Sequence, residues 1–429
     1  MLKAGVAITD ITPWEGVEMA GYPHCPRPNV GAHDPLYASA LYLDNGDKKI
    51  VWVTLDILYF GKVFTRQIRE KFPEYKLMLT TSHTHSGPWA ATPEAYEIEE
   101  GVANNPEYIE FLMNKLEELI KEAVSNPFNA ELGTYIGHCG AEQGVGGNRR
   151  HPEDIADPTV NVLAVRDAAQ KVRCVFLSYA LHPTYLHAES LLVTADYPGY
   201  IRKYLHYAAP DAIFMFGQGT SGNQSSRYFR TGQNFDEANR VGTTLGVEVF
   251  RCLEKMEYSS DISIKYAFAE TELPMREYPP VEESKAAMEE ARRIFREMDD
   301  SDYIKKRNAE LTMFGTESNY ANSKYISEHG SLINDELPCE LGVVEIGDTV
   351  IFALQGEIFV EYGIALKKAA NERGKKGFVV EVTNGSLPGY IYTPESLAEG
   401  GYEVGNSAFG PESGEIITSK LIALMDEAK

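Results

Sequence analysis

A chain of 429 residues, 43% hydrophobic and 24% charged, has the make-up of a folded globular protein and the length for a large α/β core with insertions; wholesale disorder, collagen-like repeats and a small disulfide scaffold are excluded. Forty Lys and Arg against 63 Asp and Glu leave a net charge of −23, which argues against nucleic acid or an anionic membrane surface as the main partner. No run approaches the ~20 apolar residues of a spanning helix, and the opening MLKAGVAITD lacks the features of an export signal, so a cytoplasmic protein without a transmembrane segment is expected.

In chain order, apolar runs predict strands over 38–43 and 50–55, then a charged helix over 64–71 and a strand over 76–81. That last strand leads into Ser82-His83-Thr84-His85-Ser86-Gly87-Pro88. Two-residue spacing puts both imidazoles on one face if the strand continues that far. Imidazole is also the commonest protein ligand for zinc, and strand ends are where α/β proteins open their sites.

A helix over 106–124 follows, with Ile109, Leu112, Leu116, Ile120 and Val124 on a 3.6-residue period. After the glycine-rich 144–150 segment come strands over 161–166 and 172–181, the latter ending in His182-Pro183-Thr184, where Pro183 stops the ladder. A strand over 212–216 runs into Gly217-Gln218-Gly219-Thr220-Ser221-Gly222-Asn223-Gln224-Ser225. This satisfies G-x-G-x-x-G formally but has no Walker ending, and it reads as an oxyanion or substrate-orienting loop ahead of a dinucleotide site.

A helix over 236–256 is followed by a charged helix over 282–299 with no strand beside it, read as an insertion or lid against the alternative of a solvated surface helix. Strands over 339–346 and 349–354 follow, the second ending in Gln355-Gly356-Glu357. A helix over 360–372 and a strand over 377–382 lead to a turn-rich stretch holding Tyr390, with Tyr402 twelve residues on. The expected fold is α/β, a mixed β-sheet core with surrounding helices, forming a single domain over 1–429 with a helical insertion at about 279–330.

Cys25, Cys139, Cys174, Cys252 and Cys339 are scattered and never form C-x-x-C, so they are read as reduced. The neighbouring pairs His24-Cys25 and His138-Cys139 are poor chelates, because adjacent strand residues point to opposite faces. A histidine from each of two strand ends and Glu357 from a third match the inventory of a catalytic zinc site with room for water. Taken singly, Glu357 also suits a helix start, and the tyrosines suit amphipathic packing.

With these segments in order, the chain resembles the neutral, or alkaline non-lysosomal, ceramidase family over most of its length. The landmarks are Ala4 to Pro13, Met19-Ala20-Gly21-Tyr22, His33-Asp34-Pro35-Leu36, the His83 to Pro88 string, Asn148-Arg149, His182-Pro183-Thr184, Gly222 to Ser225, Gly356-Glu357, and Tyr402 with Gly410-Pro411. The His-Thr-His-Ser-Gly-Pro string is the specific one.

The resemblance implies a zinc-dependent (Zn2+) amidohydrolase of sphingolipid metabolism, with His83, His182, Glu357 and Tyr390 as metal ligands. It also implies that His85, Arg149 and Tyr402 meet the substrate carbonyl or oxyanion, and that Ser225 orients the substrate. The acidic residue usual two positions before that serine is Asn223 here, and neither an export signal nor a C-terminal immunoglobulin-like domain is seen. The expected substrate is therefore a small-molecule or lipid amide, a soluble amide as readily as ceramide. The readings set beside it are a zinc esterase or lactonase, and a catalytically silent metal-containing binding protein of the same fold. A metallo-β-lactamase continues its His-x-His with Asp-His where this chain has Ser86-Gly87, an amidohydrolase barrel sets its His-x-His at the first strand with a lysine or further histidines that have no evident place here, and a serine hydrolase needs Gly-x-Ser-x-Gly, a spacing that Gly219-Thr220-Ser221-Gly222 misses.

Overall fold

The computed structural model describes residues 1–22, 26–91, 105–299, 301–332 and 337–429, so His24 and Cys25 lie outside the described residues. The first half of the chain lays down β1 (Lys3–Asp10), β2 (Tyr37–Asp44), β3 (Lys49–Leu55), β4 (Lys76–Thr81), β5 (Phe128–His138), β6 (Gly147–Asn148), β7 (Thr159–Asp167) and β8 (Val172–Tyr179). The second half adds β9 (Ile213–Gln218), β10 (Gln224–Ser225), β11 (Ile264–Thr271), β12 (Cys339–Ile346), β13 (Thr349–Leu354), β14 (Glu357–Ile358), β15 (Lys376–Val380) and β16 (Tyr390–Ile391).

Eight of these form a mixed sheet in the order β4-β3-β2-β1-β5-β7-β8-β9, and four form a second mixed sheet, β11-β12-β13-β15. Side-chain alternation stacks the two. In β3, Ile50 and Trp52 face the smaller sheet, while Val51, Val53 and Leu55 face the helices Lys62–Lys71 and Pro106–Ser125. In β8, Cys174 and Phe176 point into the sandwich and Val175 and Leu177 toward the helices Tyr197–Ala208 and Phe235–Lys255. On the smaller sheet Ile351 and Ala353 point inward, and Phe352 and Leu354 meet the helices Val360–Glu372 and Ser413–Glu427.

The result is four layers: helices, large sheet, small sheet, helices. Strands covered on both faces read as unbroken apolar runs, which is why β3, β8 and β13 are visible in the sequence. β5 is not: its sequence FNAELGTYIGH mixes glycine and polar residues on a half-buried strand.

The four cysteines among the described residues, Cys139, Cys174, Cys252 and Cys339, are buried. Among the described residues no helix is long and apolar enough to cross a membrane.

The span expected to hold a helical insertion carries two helices, Val281–Glu297 and Tyr303–His329. Ser284, Met288 and Ala291 are the buried stripe of the first. Ser284 Oγ meets Ser323 Oγ at 2.9 Å, and Arg292 Nε donates to Glu317 at 2.6 Å, so the two helices form a hairpin. The charged first helix otherwise faces solvent, and the functional surface belongs to the second.

Candidate active site

Chain ends emerging from different strands converge at one edge of the sandwich. β4 stops at Thr81, and His83 follows with φ of 63°, a left-handed conformation that a non-glycine residue adopts only when its surroundings enforce it. The histidines are therefore brought together by a turn and not by a shared strand face, which corrects the spacing argument; their ring centroids lie 5.0 Å apart. β8 likewise ends at Tyr179, two residues before its expected end, and the chain turns to carry His182 into the same place. Glu357 arrives after β13 through Gly356, whose φ of 82° permits the turn.

His83 Nε2 lies 3.2 Å from His182 Nε2, and Glu357 Oε2 lies 2.8 Å from His182 Nε2 and 3.3 Å from His83 Nε2. Both imidazoles are fully buried. Their tautomers follow from the other ring nitrogen: His83 Nδ1 donates to the Leu58 carbonyl at 3.3 Å and His182 Nδ1 to the Ser221 carbonyl at 2.8 Å. A carbonyl only accepts, so in the neutral rings both Nε2 atoms present lone pairs to one another and to a carboxylate.

Such an arrangement is repulsive unless a cation sits within it. A proton on His182 is disfavoured, since burial and then the Arg149 charge pull its pKa down to about 4 despite Glu357. A metal ion fits. Ligand atoms of a tetrahedral ion bound at about 2.0–2.1 Å are themselves roughly 3.3 Å apart. Burial opposes ionisation of Glu357, and positive charge at the His83 and His182 nitrogens is what holds its carboxyl well below the usual range, so the carboxylate too calls for a cation at this spot. Tyr59, absent from the sequence reading, donates its hydroxyl to Glu357 Oε1.

His85 joins this group: its ligand nitrogen lies within 4.8 Å of those of His83 and His182. Its Nδ1 donates to the Gly21 carbonyl at 2.9 Å, while Nε2 is buried with no hydrogen-bond partner. Burial, reinforced by the other two histidines, keeps its pKa well below the ordinary imidazole value. Neutral His85 thus offers an acceptor lone pair, whereas the expected oxyanion contact needs a donor. Gly21, at φ of 101°, lets the backbone come close; a Cβ there would sit 2.7 Å from the His85 ring.

Tyr390 is brought to Glu357 by backbone pairing, because β14 and β16 run parallel with Glu357 opposite Tyr390. Its ring centroid lies 6.4 Å from that of His182 and 5.7 Å from that of Tyr402, and the Arg149 guanidinium carbon stands 5.2 Å from the same centroid. Arg149 is itself fixed: Nη2 donates to the Gly222 carbonyl at 2.7 Å, and Nε stands 2.9 Å from Glu403 Oε1. Glu403, another residue the sequence reading missed, also accepts from Arg150 at 3.0 Å.

The glycine-rich loop after β9 acts through its carbonyls. Ser221 and Gly222 orient His182 and Arg149 in turn, and Glu381 secures the loop by accepting from Ser221 Oγ at 2.6 Å and from the Ile358 amide at 2.9 Å. Asn223 is occupied structurally: its side chain accepts from the Val360 amide at 2.9 Å and donates to Glu361 at 3.0 Å. Ser225 faces the cavity, a space of about 250 Å³ whose wall also includes His85, Arg149, Tyr390 and Tyr402.

The search of solved structures returns neutral ceramidase from Pseudomonas aeruginosa, at a TM-score of 0.74 and 18% identity, covering 99% of this chain and 74% of that one. A structure described as ceramidase complexed with C2 aligns at a TM-score of 0.73 and 16% identity, with the same coverage of both chains. The chain has a neutral-ceramidase-like fold. No protein-family model matches the sequence, and no curated protein matches it by sequence.

Within this ceramidase-like fold the cavity is roofed by the helix Tyr303–His329. Arg307, Glu310, Leu311 and Phe314 line it, at spacings of three, four and seven residues along one helix face. The roof meets the Tyr402–Gly405 helix where Gly315 and Gly405 touch backbone to backbone; a Cβ on Gly405 would lie 2.8 Å from Gly315 Cα. Ser318 Oγ donates to Asn406 at 2.7 Å beside this crossing. Gly405→Val is therefore expected to push the roof outward, costing about 1–3 kcal/mol in denaturant unfolding and raising KM more than it lowers kcat.

Proposed function

We propose that this chain is a zinc-dependent hydrolase of amide bonds, with His83, His182, Glu357 and Tyr390 as the metal ligands. The observation that carries the reading is the pair of buried, mutually facing Nε2 lone pairs at 3.2 Å beside the Glu357 carboxylate, next to His85 and Tyr390, which line a cavity that also holds the donors Arg149 and Tyr402. Two imidazoles are too soft a set for magnesium or calcium, and with a carboxylate they suit zinc. Bound there, zinc supplies a water whose pKa is lowered to about 7 and a Lewis-acidic contact for the amide carbonyl.

The chain's own residues account for the rest. The Arg149 guanidinium, clamped by Glu403 and the Gly222 carbonyl, and the Tyr402 hydroxyl face the cavity as donors for negative charge developing on the carbonyl oxygen. His85 Nε2, unpartnered and kept neutral, takes a proton from the attacking water and gives it to the departing amine nitrogen. Ser225 and Tyr22 shape the wall along which the substrate lies.

Protein purified without chelators is expected to hold about one zinc per chain and to hydrolyse members of a panel of short-chain ceramides and soluble N-acyl amides. Chelation abolishes turnover and zinc restores it. No stoichiometric metal after incubation with zinc, or undiminished turnover in the metal-free protein, overturns the reading.

A further inference from the structure

A protein of net charge −23 keeps an excess of positive charge in the cavity beside its histidine cluster. Four guanidinium groups line it, those of Arg149, Arg227, Arg230 and Arg307, against the two carboxylates of Glu189 and Glu310. Both carboxylates are engaged: Glu189 with His187 at 2.9 Å, and Glu310 with Arg307 on the roof helix. Arg227 stands apart. Its Nη1 donates to the Arg149 carbonyl at 2.9 Å, and among the described residues no carboxylate forms an ion pair with it. Burial, followed by repulsion from Arg149, lowers its pKa to about 10, and the more distant Glu403 carboxylate, already shared by Arg149 and Arg150, offsets this only in part.

The cavity is also small. Its volume is about 250 Å³, and Leu311, Phe314 and the rings of Tyr22, Tyr390 and Tyr402 are its large apolar and aromatic side chains. Two long alkyl chains need an extended apolar groove; this space offers guanidinium forks, which match carboxylates in shape and charge.

We infer that the substrate is a small amide bearing a carboxylate away from the scissile bond, received by Arg227 together with Arg307. The inference rests on the amide-hydrolysis reading for the reacting end only. Arg227 and Arg307 here bind substrate and take no part in bond cleavage.

The test is calorimetric titration of the metal-free protein with glutaramate against glutaramide, and with N-acetylglycine against N-acetylglycinamide. The first pair places the anion on the acyl side of the amide and the second on the amine side. At least one anionic amide is expected to bind about tenfold or more tightly than its neutral partner. Arg227→Gln and Arg307→Gln each erase most of that preference; Arg307 lies on the roof helix, so its variant carries the test if the more buried one does not fold. Equal binding of neutral and anionic partners, no binding by any of the four at millimolar concentration, or a preference untouched by both substitutions overturns the inference. Because binding is read without metal, failure of hydrolysis sinks the amidase reading alone. Faster turnover of a neutral ceramide than of either anionic amide keeps the amidase and overturns the carboxylate.

Discussion

His182→Ala protein is expected to be metal-free after purification and to lose at least about a thousandfold in amide turnover. The imidazole is the hinge of the cluster: its Nε2 meets both His83 Nε2 and Glu357 Oε2, and its orientation is fixed by the Ser221 carbonyl. Removing it leaves His83, Glu357 and Tyr390 without the imidazole that meets the first two, and a buried void where the ring was. His83→Ala should behave alike from the other side. His206→Ala, on the exposed side of the Tyr197–Ala208 helix, is the control and should retain metal and activity. Elemental analysis of the three variants beside the parent reads the outcome. Full zinc content in either ligand variant would show that the site lies elsewhere.

The second large effect is on stability. Glu403 and Arg149 are both nearly excluded from solvent, at 2% and 6% exposure, and Arg150 shares the carboxylate. Glu403→Gln leaves a buried guanidinium without its counter-charge, which typically costs about 3–5 kcal/mol. The midpoint of urea unfolding should fall accordingly, and the activity of the folded fraction should drop because Arg149 loses its anchor.

The pH dependence distinguishes charge from packing at this position. Burial opposes ionisation of Glu403, but Arg149, Arg150 and Arg227 outweigh it and hold the folded-state pKa below its unfolded value. The stabilisation is therefore complete above the ordinary glutamate range near 4.3 and is lost as pH falls through the lower folded-state value. The gap between parent and Gln variant should be wide at neutral pH and close in acid. A gap independent of pH would mean that packing, not charge, sets the cost.

Strands buried on both faces, such as β3, β8 and β13, announce themselves as apolar runs, and the helix Pro106–Ser125 as a 3.6-residue stripe. Those patterns, with the His83 to Pro88 string, His182 and Glu357, made the α/β class, the resemblance and the histidines of the cluster legible before any coordinates. The half-buried β5 and the helix Tyr303–His329 carry weak periodic signals, and only the second shows, in space, what Arg307, Glu310, Leu311 and Phe314 cover.

The sequence alone settled which residue types were available for a metal and an oxyanion, because chemistry depends on side-chain identity. It could not settle their partners. That two Nε2 atoms face each other follows from carbonyls at Leu58 and Ser221, and Arg149 owes its place to Glu403, 254 positions away in the numbering. That His85 presents a lone pair follows from the Gly21 carbonyl. Backbone carbonyls are invisible in a sequence, and a long-range ion pair carries no local pattern. Proton placement, cavity charge and the roof over the site were therefore decided by tertiary structure.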